Sequence, residues 1–287
     1  MKNELQLPAL ARRQSGADPR SLIFLWRELM ARQQTLAWFG LALWLAMLPT
    51  VVAWGLDDRT LREVNVWTKP LKFMASVGLF SLTTAWFVGL LEPGRRQTRL
   101  VQSVVIIVMA TGLFEVGYIT WQAAWSQASH YNADTLPHQL MYGLMGMGAL
   151  LLTATQPMLA WQIWRDGRSM APSVWRDGVV LGLMATFVLG ASVGGMLGGL
   201  QPPDGAGLPV VGWHFSGGDL RPAHFLGVHA QQLIPLAGAL LAGAGLRQAR
   251  LGLWLFVGAY TALWMWAVQI GLAGQTPTPP AFMQLLT

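Results

Sequence analysis

The 287-residue chain contains no cysteine. That absence removes disulfides, thiolate metal sites, iron–sulfur clusters and covalently attached c-type haem, and it leaves the redox compartment open. Charge is scarce as well. Asp, Glu, Lys and Arg make up 11% of the residues, against about a quarter in an ordinary soluble domain. The net charge of +6 would suit nucleic acid, but the arginines fall in short clusters between apolar runs, so no nucleic-acid partner is expected. Residues 1–34 carry mixed charge ahead of the first long apolar run, which is not the pattern of a secretory signal.

What the chain has in quantity is apolar length, with 53% hydrophobic residues. Seven runs, at 35–56, 66–91, 101–127, 137–164, 177–199, 223–245 and 251–273, are each long enough to cross the ~30 Å of hydrocarbon in a bilayer. The expected fold is therefore all-α: a polytopic integral membrane protein whose seven-helix transmembrane bundle occupies 35–273. Residues 1–34 read as a cytoplasmic amphipathic segment and 274–287 as a short outward tail. Asp18-Pro19 has the form of a helix N-cap followed by a first-turn proline. Leu22, Leu25, Trp26 and Leu29 then share one face, suited to lying on the inner leaflet or packing under the bundle.

Orientation follows from the 19 Lys and Arg. Fourteen lie in the N-terminal segment and in the loops after spans two, four and six, and five (Arg59, Arg62, Lys69, Lys72 and Arg221) lie on the other side. The positive-inside rule then puts the N-terminus in the cytoplasm and the C-terminus outside, with a bacterial inner membrane as the expected location.

Span five repeats glycine at 190, 194 and 198, and at 195 and 199, a small-residue pattern that lets helices approach closely or supports an oligomer through that face. The segment QPPDGAGLPVVGWHFSGGDLRP after it is long for a membrane-protein connection and reads as a lid or binding loop, with Trp213 and Phe215 folding it back onto the bundle. No internal repeat is evident, and seven spans do not divide into the inverted halves of many transporters.

All five histidines fall on the outward side: His130, His138, His214, His224 and His229. On span two, Asn65, Lys69, Lys72, Ser76 and Thr83 recur at helical spacing, and on span three Thr111, Glu115, Tyr118, Gln122, Ser126 and Ser129 do the same. Glu115 is the one carboxylate expected deep in a span, where it must be neutral, paired or wet. An ion pair with Lys72 that fixes helix register is one reading of it. On span six, His224 and Gln231 share a face, while His229, Gln232 and Leu236 share another about 140° away. Asp219 and Arg221 sit just above.

These stripes predict one polar pocket in the outer third of the bilayer. Glu115, Lys72 and Asp219 are the candidate catalytic groups, and Lys69, Tyr118, Gln122, Arg221 and Gln232 the candidate binding groups. His229, His224, His130 and His138 are the candidate metal ligands, as neutral imidazoles.

Several functions suit such a pocket. The first is a metal-assisted enzyme, with zinc or iron, acting on a lipid or other amphiphile of the outer leaflet. Its Ser126-to-His130 spacing is similar to the SxxxH element of the seven-span alkaline-ceramidase and adiponectin-receptor group. That group pairs SxxxH with HxxxH around zinc, whereas this chain has HxxxxH at His224 and His229; the likeness covers a few residues and does not amount to membership. The second is a proton-coupled transporter, or a membrane subunit that binds a small anion. The third is a b-type haem or quinone-linked redox protein, with His229 facing His138, Met141 or Met145. A merely structural polar core in an accessory subunit is the fourth.

Overall fold

The computed structural model describes residues 21–167, 173–205, 207–209 and 211–273. The Asp18-Pro19 cap and the tail at 274–287 lie outside the described residues. Seven helices carry the fold: α1 (Leu22–Leu56), α2 (Thr68–Val88), α3 (Arg99–Ala124), α4 (Leu136–Asp166), α5 (Ser173–Leu197), α6 (Arg221–Gly243) and α7 (Ala249–Leu272). All seven are long and apolar enough to span a membrane. A two-stranded hairpin, β1 (Thr60–Leu61) and β2 (Val64–Asn65), sits between α1 and α2. The chain is thus a multi-pass, seven-helix membrane protein.

The helix starts follow from capping chemistry. The hydroxyls of Ser21, Thr98 and Thr135 accept from the backbone N–H groups of Phe24, Val101 and His138, satisfying donors that the first turn leaves orphaned. Span two begins at Thr68, not 66. Asn65 therefore belongs to the hairpin, where its Nδ2 donates to Asp57 O at 2.6 Å, and it drops out of the polar stripe. Ser126 and Ser129 likewise lie past the end of α3.

Gln33 has non-helical backbone (φ −154°, ψ 93°) and breaks α1 into a juxtamembrane piece and a spanning piece. Phe24 of the first piece is buried, and Leu29 packs against the cluster around Leu36 and Val104. Arg32 lies over the Trp86 ring at 3.9 Å and donates to Trp86 O at 3.1 Å. Leu22 and Ile23 stay exposed. The segment therefore packs under the bundle along one face and presents apolar side chains along another.

Consecutive helices pack in chain order around an arc, and α5 against α6 is the tightest pairing. Glycine explains that pairing. A Cβ on Gly227 would come within 2.7 Å of Gly190 N, and one on Gly182 within 2.7 Å of Pro235 Cδ. His224 lies against Gly194. The Gly190/Gly194 face predicted from the sequence thus serves α6 of the same chain, while Gly195 has open space beside it. Helices α2 and α6 share no packed interface of comparable extent and are joined by the hydrogen bond from Gln232 to Thr83.

Candidate functional site

The bundle has an arginine-rich side, holding the α2–α3 and α6–α7 loops, and an opposite side that carries all five histidines. Four non-glycine residues among those described have left-handed backbone: Arg62, Glu63, Ser126 and Tyr131. Every one is on the histidine side. Arg62 and Glu63 form the two-residue hairpin turn, a place where Asn-Gly is the unstrained choice. Non-glycine residues held this way cost about 1–3 kcal/mol each and persist where surrounding contacts enforce them. For Arg62 those contacts are visible: its guanidinium pairs with Asp204 and donates to Pro202 O at 2.6 Å.

Those two partners belong to the loop between α5 and α6, which is tied down at several further points. Lys72 Nζ donates to Val211 O at 2.8 Å, and Arg221 Nη2 donates to Gly212 O at 2.5 Å. Trp213 packs edge-on against Phe215 and Phe225. Asp219 is the fastener. Its Oδ1 accepts from Arg221 N and Nε at 2.9 and 2.8 Å, and its Oδ2 from His214 N and Arg221 Nη2 at 2.9 and 2.7 Å. Burial raises the Asp219 carboxyl, but hydrogen bonds from Arg221 and from the His214 and Arg221 amides outweigh it and hold the group below the usual carboxylate range. So engaged, Asp219, the expected general base, fastens the loop to the start of α6.

Beneath this roof lies Glu115, 3% exposed, with Oε1 buried and unpartnered. That oxygen abuts Gly148 of α4, where an added Cβ would come within 2.9 Å. The cation whose field reaches Glu115 is Lys69. Lys72 has Asp219 and Arg221 as its charged neighbours. The expected Glu115–Lys72 pair does not form: Lys72 donates to the loop carbonyl, and Lys69 is the lysine whose charge acts on Glu115. Lys69 keeps accessible surface and makes no hydrogen bond or close ion pair among the described residues; its nearest specific contact is the Phe73 ring at 6.0 Å. His130 packs between Phe73 and Tyr142, with ring centroids 6.0 and 5.9 Å away, and Ser129 Oγ is 3.2 Å from its Nδ1. Burial, with Lys69 nearby, pushes the His130 imidazole down to about 3, so the ring is neutral at physiological pH. Tyr118 and Gln122 pair with each other, Gln122 Nε2 donating to the Tyr118 hydroxyl at 2.6 Å.

His229 belongs to a third group. Its Nδ1–H donates to Gln232 Oε1 at 3.2 Å, because an amide oxygen can only accept, and Gln232 Nε2 donates to Thr83 Oγ1 of α2 at 3.2 Å. The Phe225 ring lies 4.1 Å from the imidazole. By the same logic His224 Nδ1–H donates to Gly190 O of α5 at 3.2 Å, and His138 pairs with Asp134 at 2.5 Å. Lys72, Glu115 and His229 thus do not share one tight cluster. They belong to three groups: a roof, the buried Glu115 with Lys69 as its nearby cation, and a seam between α2 and α6.

Among the described residues no three His, Asp or Glu come together as ligands, whereas a zinc site takes three or four. His229, His224, His130 and His138 each have a separate partner. For the haem expectation, helices α4 and α6 each pack against α5. Two contributors escaped the sequence reading: Arg62, counted there only as a loop charge, and Tyr131, whose hydroxyl bonds to Leu197 O. Nothing local in the sequence marks Arg62, since its partners Asp204 and Pro202 lie about 140 positions away. No protein-family model matches the chain, nor does any curated protein or solved structure.

Proposed function

We propose that the protein is a membrane-embedded binding subunit for an anionic ligand, held on the outer side of a bacterial inner membrane beneath the α5–α6 loop. The orientation rests on the distribution of Lys and Arg. The observation that carries the reading is Lys69: a lysine in a membrane-spanning helix, with accessible surface and no direct partner among the described residues. An unpaired ammonium within a membrane is costly, on the order of 3 kcal/mol or more, and such residues mark ligand or ion sites. The other cations here are already engaged. Arg62 and Arg221 are matched by Asp204 and Asp219, and Lys72 holds the loop. Residual backbone strain at Arg62, Glu63, Ser126 and Tyr131 around the same region supports a site that the fold maintains at a cost.

The test is the melting temperature of the protein in a non-ionic detergent, with and without millimolar acetate, benzoate or phosphate at constant ionic strength. A ligand that binds the folded state alone stabilises it by about 2.7 kcal/mol at a hundred times its dissociation constant. The expected result is a saturable rise with at least one anion, lost in Lys69→Met and kept in Lys69→Arg. Equal melting temperatures under all conditions would contradict the reading.

A further inference from the structure

We infer that the ligand is a single-chain amphiphile with a monoanionic carboxylate head, reaching Lys69 sideways from the outer leaflet through the seam between α2 and α6. This rests on the anion-binding reading above and adds to it the class of ligand and the route.

Charge sets the head group. Arg62 is matched by Asp204 and Arg221 by Asp219, Lys69 has Glu115 as its acidic neighbour, and the bond from Lys72 to the neutral Val211 carbonyl leaves its charge unmatched. The group as a whole therefore has room for one further negative charge, which suits a carboxylate better than a dianion.

The route follows from what is fastened and what is not. From above, the loop is closed by Arg62 on Asp204 and Pro202 O, by Lys72 on Val211 O, by Arg221 on Gly212 O, and by Asp219 on the His214 amide. From the side, α2 and α6 lack close backbone packing, and the hydrogen bond seen directly between them is Gln232 to Thr83. The two facing surfaces are mixed in a way that lipid tails alone would not select. Ser76, eight residues into α2, is exposed, and His229 and Gln232 of α6 are partly accessible, while Phe225 and Leu236 on that same side of α6 are 43% and 54% exposed. Polar groups open to hydrocarbon are costly. An amphiphile resolves this, because its head stays near the lysines and its chain runs past Ser76 and His229 to Leu236.

The cysteine-free chain makes a direct test practical. Ser76→Cys carrying a bimane fluorophore is placed in phosphatidylcholine nanodiscs, and 5-doxylstearate is titrated as the quencher. Saturable quenching is expected, displaced by laurate but not by methyl laurate. It should be lost in Lys69→Met and kept in Lys69→Arg. Leu236→Trp, which narrows the seam away from the lysines, should weaken stearate binding about tenfold and leave the acetate-induced rise in melting temperature intact. Quenching that never saturates, or that methyl laurate displaces as well as laurate does, overturns the inference. If short carboxylates stabilise the protein while doxylstearate does not bind, the lateral route falls and the anion site stands. If neither does anything, both fall.

Discussion

Lys69 and Lys72 lie three residues apart on one face of α2, and the fold gives them different tasks. Lys72 donates to Val211 O, whereas Lys69 is the cation near Glu115. Coupling should follow the electrostatic field between the groups. In a double-mutant cycle on thermal stability, Lys69→Met and Glu115→Gln should be non-additive by about 0.5–3 kcal/mol, while Lys72→Met and Glu115→Gln should add within about 0.5 kcal/mol. The sequence made the polar face of α2 legible but not the division of labour, since the competitor for Lys72 is a backbone carbonyl 139 positions away. His130 offers a pH signature. Its imidazole sits near 3 when folded, far below the ordinary 6.5, so the unfolded chain takes up this proton first as pH falls. Stability linked to His130 is full above pH 6.5 and declines as pH drops from there toward 3. The melting temperature of His130→Gln should therefore fall less between pH 7 and pH 5 than that of the parent. Asp219 behaves differently: its folded value lies below 3.8, so its contribution persists above that pH and is lost only in stronger acid.

At the scale of the helix, the decisive residues are glycines whose neighbours are backbone. Gly227 meets Gly190 N and Cα at 2.7 and 2.8 Å from where its Cβ would be, and backbone cannot turn aside as a side chain can. Gly227→Ala should lower stability by about 1–3 kcal/mol, the range for overpacking, and Gly195→Ala, beside open space, should be silent. Thermal unfolding of the two variants in one detergent checks both. The glycine period was readable from the sequence. Its partner was not, because a stripe of small residues has the same spacing whether it serves a neighbouring helix or a second chain. Helix ends were legible to within a few residues where Ser, Thr or Pro marked them. The hairpin was not, since Arg62-Glu63 carries no turn signature and is held instead by contacts to a distant loop.

For the whole molecule, seven apolar runs make the membrane fold legible in the sequence, while the arrangement of the site is not. Three polar stripes predicted one pocket; the packing of the helices divides them into a roof, the buried Glu115 beside Lys69, and a lateral seam, a separation that depends on which helices pack closely. Orientation is open to direct measurement. In the cysteine-free chain, Gln127→Cys, exposed on the histidine side, should react with a membrane-impermeant maleimide on intact cells, and Gln97→Cys, exposed on the arginine side, only after permeabilisation. The reverse pattern would invert the molecule. The claim that bears most weight is that Lys69 is a cation left open for a ligand's negative charge. Equilibrium dialysis of radiolabelled laurate against the purified protein measures this most directly. One laurate per chain, retained by Lys69→Arg and abolished by Lys69→Met with folding intact, is the predicted result; identical binding by all three proteins would contradict it.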